Sequence, residues 1–191
     1  MRIIIAAIVG GIIVFVWSAV AHIFTPLGRM GMSQLPNETQ VVQTLGGVPS
    51  TGMYIFPWLS MKPSAEEQKA WNEKYKAGPS GMLMIIKGGG ELMSPRQLGS
   101  EFVSNVIAAL IAAILASFMI GSWFKRAFAV ALMGLFGIVS LLVSYWIWYG
   151  FPAEYVRGEL VTEVVGWLLA GLAIAKIVRP PFGAIAPKYP S

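Results

Sequence analysis

Four stretches of this sequence, 3–24, 102–122, 128–149 and 160–178, are long and apolar enough to cross a membrane, with few or no charged side chains. A hydrocarbon core about 30 Å thick takes roughly 20 apolar residues of helix to span. Inside it only a helix or a closed barrel satisfies every backbone polar group. These runs therefore predict a membrane all-α fold, a bundle of four transmembrane helices. Composition agrees, with 56% hydrophobic and 12% charged residues against roughly 25% charged in a soluble domain. The first run has one competing explanation, a secretory signal, since Arg2 precedes it and Ala19-Val20-Ala21 has the small residues of a cleavage site. A signal's apolar core is about 7 to 15 residues, whereas this one is unbroken from Ile3 to Ala21. Residues 1–24 are accordingly read as the first span.

The net charge of +5 is read as topological. No stretch combines a Lys/Arg patch with exposed aromatics, so nucleic acid is not an expected partner. Lys and Arg in short loops mark the cytoplasmic side. Arg2 precedes span one, Lys125 and Arg126 fill the turn between spans two and three, and Lys176, Arg179 and Lys188 accompany the tail, 179–191. Four spans place all three groups on one side, so both termini are expected to be cytoplasmic and residues 25–101 to lie outside. The loop after span three holds Glu154, Arg157 and Glu159 and suits the opposite face. Tyr145, Trp146, Trp148 and Tyr149 crowd the outer end of span three. Rings with one polar edge collect at the membrane interface, and such a belt explains them more simply than a cofactor box does.

Residues 25–101 carry the punctuation of a folded unit, a small α+β cap. A short helix is predicted from Asn37-Glu38 to Leu45, stopped by Gly46-Gly47, and a strand from Gly52 to Phe56. Ser64-Ala65-Glu66-Glu67 is a capping box for a helix ending at Gly78, and Gly81 to Lys87 is a second strand. Ser94-Pro95-Arg96-Gln97 opens another helix, expected to run on into span two. Two strands alone are marginal in water. The stretch with Tyr54, Phe56 and Trp58 is the part of the cap expected to touch headgroups or protein.

Inside lipid, helices meet where small residues let backbones approach. Span two repeats Ser104, Ala108, Ala112 and Ala116 every four residues, with Ala109, Ala113 and Ser117 alongside; span three offers Gly134 and Gly137, and span four Gly166 and Gly171. These faces suit packing within the bundle or docking on another subunit.

Chemistry has few residues to draw on. There is no Cys, a single His, and all nine acids are Glu. Thiolate chemistry, disulfides and the common nucleophile triads are thereby excluded, and Gly88-Gly89-Gly90 lacks the Lys-Ser/Thr of a phosphate loop. His22 is the one candidate axial ligand for haem or a chlorophyll-type pigment; an interfacial hydrogen-bonding role is the simpler expectation. Glu159 and Glu163 are four apart and share a face. As intramembrane carboxylates they would be a candidate proton or cation site, while in the first turn of span four they would merely complement the helix dipole. No cofactor is required and no catalytic residue is assigned.

The strings Leu35-Pro36-Asn37-Glu38, Tyr54 to Pro57, Tyr75-Lys76-Ala77-Gly78-Pro79, Ser94-Pro95-Arg96-Gln97-Leu98 and Ser144 to Pro152 resemble those of a group of bacterial four-span inner-membrane proteins with no assigned activity. The resemblance implies the bacterial inner membrane, hence a periplasmic cap, and transfers no functional residues. The expected role is a non-catalytic accessory subunit that contacts lipid and other subunits of a larger respiratory or photosynthetic complex. The alternatives are a small transporter or channel component, then a membrane enzyme should His22, Glu159 and Glu163 converge.

Overall fold

The structure, a computed structural model, describes residues 1–179; Lys188 and the rest of the expected tail beyond Arg179 lie outside the described residues. The chain divides into two compact units, one of residues 1–32, 92–147 and 151 onward, the other of residues 33–91 with 148–150.

In the first unit, α1 (Arg2–Phe24) leads into a 3-10 turn (Pro26–Arg29). The cap unit supplies α2 (Glu38–Leu45), β1 (Gly52–Phe56), α3 (Ala65–Ala77) and β2 (Gly81–Ile85). Then come α4 (Pro95–Phe118), α5 (Trp123–Gly137), a π-helical turn (Ile138–Leu142), α6 (Val143–Tyr149) and α7 (Ala153–Ile177). Among the described residues four helical stretches are long and apolar enough to cross a membrane: α1, α4, the continuous run Trp123–Tyr149, and α7.

The helices do not share the limits of the expected spans. The helix that carries span two, expected to 122, ends at Phe118, because Met119 turns extended and Ser122 already caps α5 by accepting from the Lys125 N–H. The next helix begins at Trp123, ahead of the span expected from 128, and Lys125 and Arg126 lie in its first turn instead of a loop. The last begins at Ala153, ahead of the span expected from 160, since Pro152 is its N-cap. Hydropathy marks where lipid could begin; the helix itself begins where the backbone is capped.

Packing in this unit inverts the pattern of a water-soluble core. The buried residues are small, including Ala6, Ala109, Ala112, Ala113, Ala116 and Ala170, and the largest fully buried side chains are only Ile174 and Val130. Ile4, Ile8, Ile12, Val16, Ile107, Ile111, Phe128 and Phe136 are exposed. α1 lies along α4 and α7, and α5 along α7. Where α1 crosses α4, a Cβ on Gly11 would come 2.7 Å from the Val106 Cα; where α5 crosses α7, one on Gly171 would come 2.6 Å from the Ala127 carbonyl oxygen. Only glycine permits either approach.

α1 and α7 run antiparallel, as their contacts show: Gly10 is beside Ile174, and the Trp17 indole donates to the Thr162 carbonyl at 2.8 Å. At one end of the unit Arg126 of α5 is buried and donates from Nη1 to the Val178 carbonyl (2.6 Å) and from Nη2 to that of Ala175 (2.7 Å). The Trp123 indole reaches the Leu172 carbonyl nearby, with the Lys176 ammonium 5.6 Å above its ring. The start of α1, the start of α5 and the end of α7 thus share an end, which gathers Arg2, Lys125, Arg126, Lys176 and Arg179.

In the cap unit β1 and β2 pair antiparallel, with Tyr54 opposite Leu83. The Ser64 capping box is complete, as is the one at Ser94 that opens α4. Trp71 stacks on Tyr75 and donates to the Pro57 carbonyl at 2.9 Å, tying α3 to the end of β1.

Candidate functional site

Because α7 begins at Ala153, Glu154 is the acid of its first turn. Glu163, ten residues past Ala153, stands about 15 Å along the axis from the helix start at 1.5 Å per residue. Complementing the helix dipole therefore does not explain Glu159 and Glu163, since that effect is confined to the first turn. Tyr155, Glu159, Glu163 and Trp167 follow one another at four-residue steps and so share one face of α7.

The structure brings His22 of α1 to Glu159, with Nε2 and Oε1 3.3 Å apart. The other ring nitrogen, Nδ1, lies 2.9 Å from the Ser18 carbonyl oxygen, which can only accept, so Nδ1 carries a hydrogen. Nε2 then faces a carboxylate oxygen, and a favourable contact requires a proton between them, on one partner or the other. Both nitrogens are engaged, so an axial bond to haem or a pigment would displace Glu159. Glu163 is half-buried and accepts from the Trp167 indole N–H at 2.9 Å. Among the described residues Trp167 is its only hydrogen-bonding partner.

These acids line an open-sided cavity of about 600 Å³ bordered by α4, the α5–π-turn segment and α7. Its walls are otherwise apolar and include Ala108, Ala112, Met133, Phe136, Ile138 and Leu142, with Tyr155 and Trp167 beside the carboxylates. Two features of the third span open this space. Gly137 also lines it, and a Cβ there would meet nothing within 4 Å. Immediately afterwards the helix widens into its π turn, which rotates the following side chains relative to an α-helical path; such bulges are frequent at functional sites.

The small-residue predictions divide. Ala112 and Ala116 are buried with Ala109 and Ala113, Ala108 is half-buried at the cavity wall, and Ser104 is exposed. Gly134 receives the Trp167 ring, whereas a Cβ on Gly137 would meet nothing within 4 Å among the described residues. Of the predicted belt, Trp146, Trp148 and Tyr149 are exposed, and Tyr145 is half-buried with its ring 5.4 Å from that of Phe151. In the cap Phe56 and Trp58 are exposed, while the Tyr54 hydroxyl donates to the Ser50 carbonyl at 2.5 Å.

Three contributors were not singled out from sequence. Trp167 and Tyr155 could have been, because they extend the four-residue step of the two Glu. Arg126 as a buried cap could not, since a cation beside a turn looks the same whether it faces water or a neighbouring helix. Among the described residues no group of three or more His, Cys, Asp or Glu side chains is placed to hold a metal ion. Among the described residues, fold and site together define four helices long and apolar enough to cross a membrane, with a mainly apolar cavity among them. No protein-family model, curated protein or solved structure matches it.

Proposed function

We propose that this protein is a multi-pass inner-membrane protein, a four-helix bundle acting as a non-catalytic accessory subunit whose cap docks on a larger membrane complex. The carrying observation is the apolar surface of the cap unit. Met53, Ile55, Phe56, Trp58, Leu83, Met84 and Ile86 are all exposed on and around its two-stranded sheet. A pair of strands so thinly covered needs another surface. The bundle is supported by the inverted packing, in which lipid takes the place of water against Ile, Leu and Phe. The cations at one end of the helices support cytoplasmic termini and a periplasmic cap.

The test is a photoreactive amino acid placed at Met84 or Trp58 in the full chain and activated in native membranes. A protein adduct of one defined mass is expected from both positions and none from Glu73 on α3. Adducts with lipid alone would show that the cap lies on the bilayer and overturn docking. A second reading, a small transport component, is favoured by the carboxylate-lined cavity.

A further inference from the structure

We infer that the cavity between α4, the third span and α7 is a binding site for an amphipathic cation, a lipophilic amine or quaternary ammonium that enters from the lipid. The inference is independent of cap docking and does not require that the ligand be carried across.

Size is the first argument. About 600 Å³ falls within the roughly 300 to 1,000 Å³ of small-molecule sites, far more than a bound ion or water needs. The second is the distribution of polarity. The polar groups converge from α7, at Tyr155, Glu159 and Glu163, while α4 and the third span contribute apolar walls. A ligand matching both must have a polar head and a greasy body.

Charge fixes the sign of the head. Of the two carboxylates, Glu159 has His22 at one oxygen, and among the described residues Glu163 is hydrogen-bonded only by the neutral Trp167 indole. The nearby Arg157 is exposed and pairs with Glu154 at 3.7 Å. Among the described residues no Lys or Arg lines the cavity, so its polar side is acidic and complementary to a cation. Trp167 lines the same cavity beside Glu163, and an aromatic ring together with a carboxylate is a pairing that recognises substituted ammonium groups.

The route follows from the rim. Ile111, Leu115, Phe136 and Leu141 line the cavity and are exposed by 55, 44, 73 and 55% on the outer surface of the helices. That surface is apolar and belongs to the stretches able to cross a membrane. A ligand passing over it arrives from lipid, which selects cations that partition into bilayers.

The experiment uses the full chain in nanodiscs of zwitterionic lipid, with tritiated tetraphenylphosphonium as probe in equilibrium dialysis. The expected result is saturable binding of about one probe per chain. Glu163→Gln is expected to weaken it about tenfold or more, the loss of a charged partner. Gly137→Leu, which fills open space instead of colliding with a neighbour, should abolish binding and leave the melting temperature unchanged, so the proposal remains testable should Glu163→Gln fail to fold. His22→Ala should change affinity less than about threefold, since its imidazole competes with the ligand for Glu159 rather than holding it. No saturable binding in the wild type, equal binding by folded Glu163→Gln, or unaltered binding by Gly137→Leu would each overturn the inference. So would equally tight binding of uncharged triphenylphosphine, which would show a cavity that selects grease and not charge.

Discussion

At the scale of single residues, Arg126 shows how one side chain can serve two roles that a sequence does not separate. Counted as a loop cation, it marks an end of the helices. In three dimensions it satisfies the carbonyls of Ala175, in the last turn of α7, and of its C-cap residue Val178, at a helix end where carbonyls lack intrahelical partners. Removing it should leave those carbonyls buried and unpaired. We expect Arg126→Ala to lower the stability of the solubilised protein by roughly 1.5 to 3 kcal/mol, the range for hydrogen bonds to charged groups. Arg126→Lys should recover only part, because an ammonium cannot span two acceptors as a guanidinium fork does. Denaturation of both variants in the same detergent checks this, and an Ala variant as stable as the wild type would show that the contact contributes nothing. Glu163 makes the complementary point. Its spacing from Glu159 was legible, but its depth was not, because depth depends on where the helix starts and Pro152 moved that start seven residues ahead of the hydropathic boundary at 160.

At the scale of elements, helix pairing depends on where backbones can meet. The alanines of α4 were legible as a flat side, yet the periodicity allowed two adjacent stripes. The structure buries Ala109, Ala112, Ala113 and Ala116 and leaves Ser104 exposed. Ala113→Leu should therefore destabilise by about 1 to 3 kcal/mol through overpacking. Ala112→Leu should do less harm because Ala112 also borders the cavity, into which the larger side chain can extend. Equal losses from the two substitutions, read by thermal unfolding, would mean that the cavity is closed in solution. Two glycines, Gly171 of α7 and Gly137 of α5, offer a second contrast. Gly171→Ala must push α5 from α7, whereas Gly137→Ala adds a methyl group in open space. The first should lower the melting temperature and the second leave it within error. A neutral Gly171→Ala would remove the close crossing from the account of how these helices hold together.

At the scale of the whole molecule, the end that gathers Arg2, Lys125, Arg126, Lys176 and Arg179 sets an expected orientation. Fused at Gly89, a phosphatase active only outside the cytoplasm should be active, and fused after Ser122 it should be silent. The reverse pattern would invert the topology, and equal signals would change the number of spans. Adding cations to the loop after Tyr149 should weaken the bias in proportion to their number, because orientation follows the distribution of Lys and Arg among short loops. Loss of orientation without any such dependence on charge would locate its cause elsewhere.

The sequence by itself determined which four segments are apolar enough to cross a membrane, the limits of β1 and both Ser capping boxes. These properties depend on residues within a few positions of one another, so local chemistry suffices. Only the tertiary structure decided that His22 meets Glu159 across 137 positions of chain, that Arg126 caps a helix other than its own, and that Gly137 and the π turn leave a space beside Glu163. Such features arise from the rotation and offset of one helix against another. In lipid those are set by the sum of many shallow contacts between small side chains, and no single stretch of sequence contains that sum.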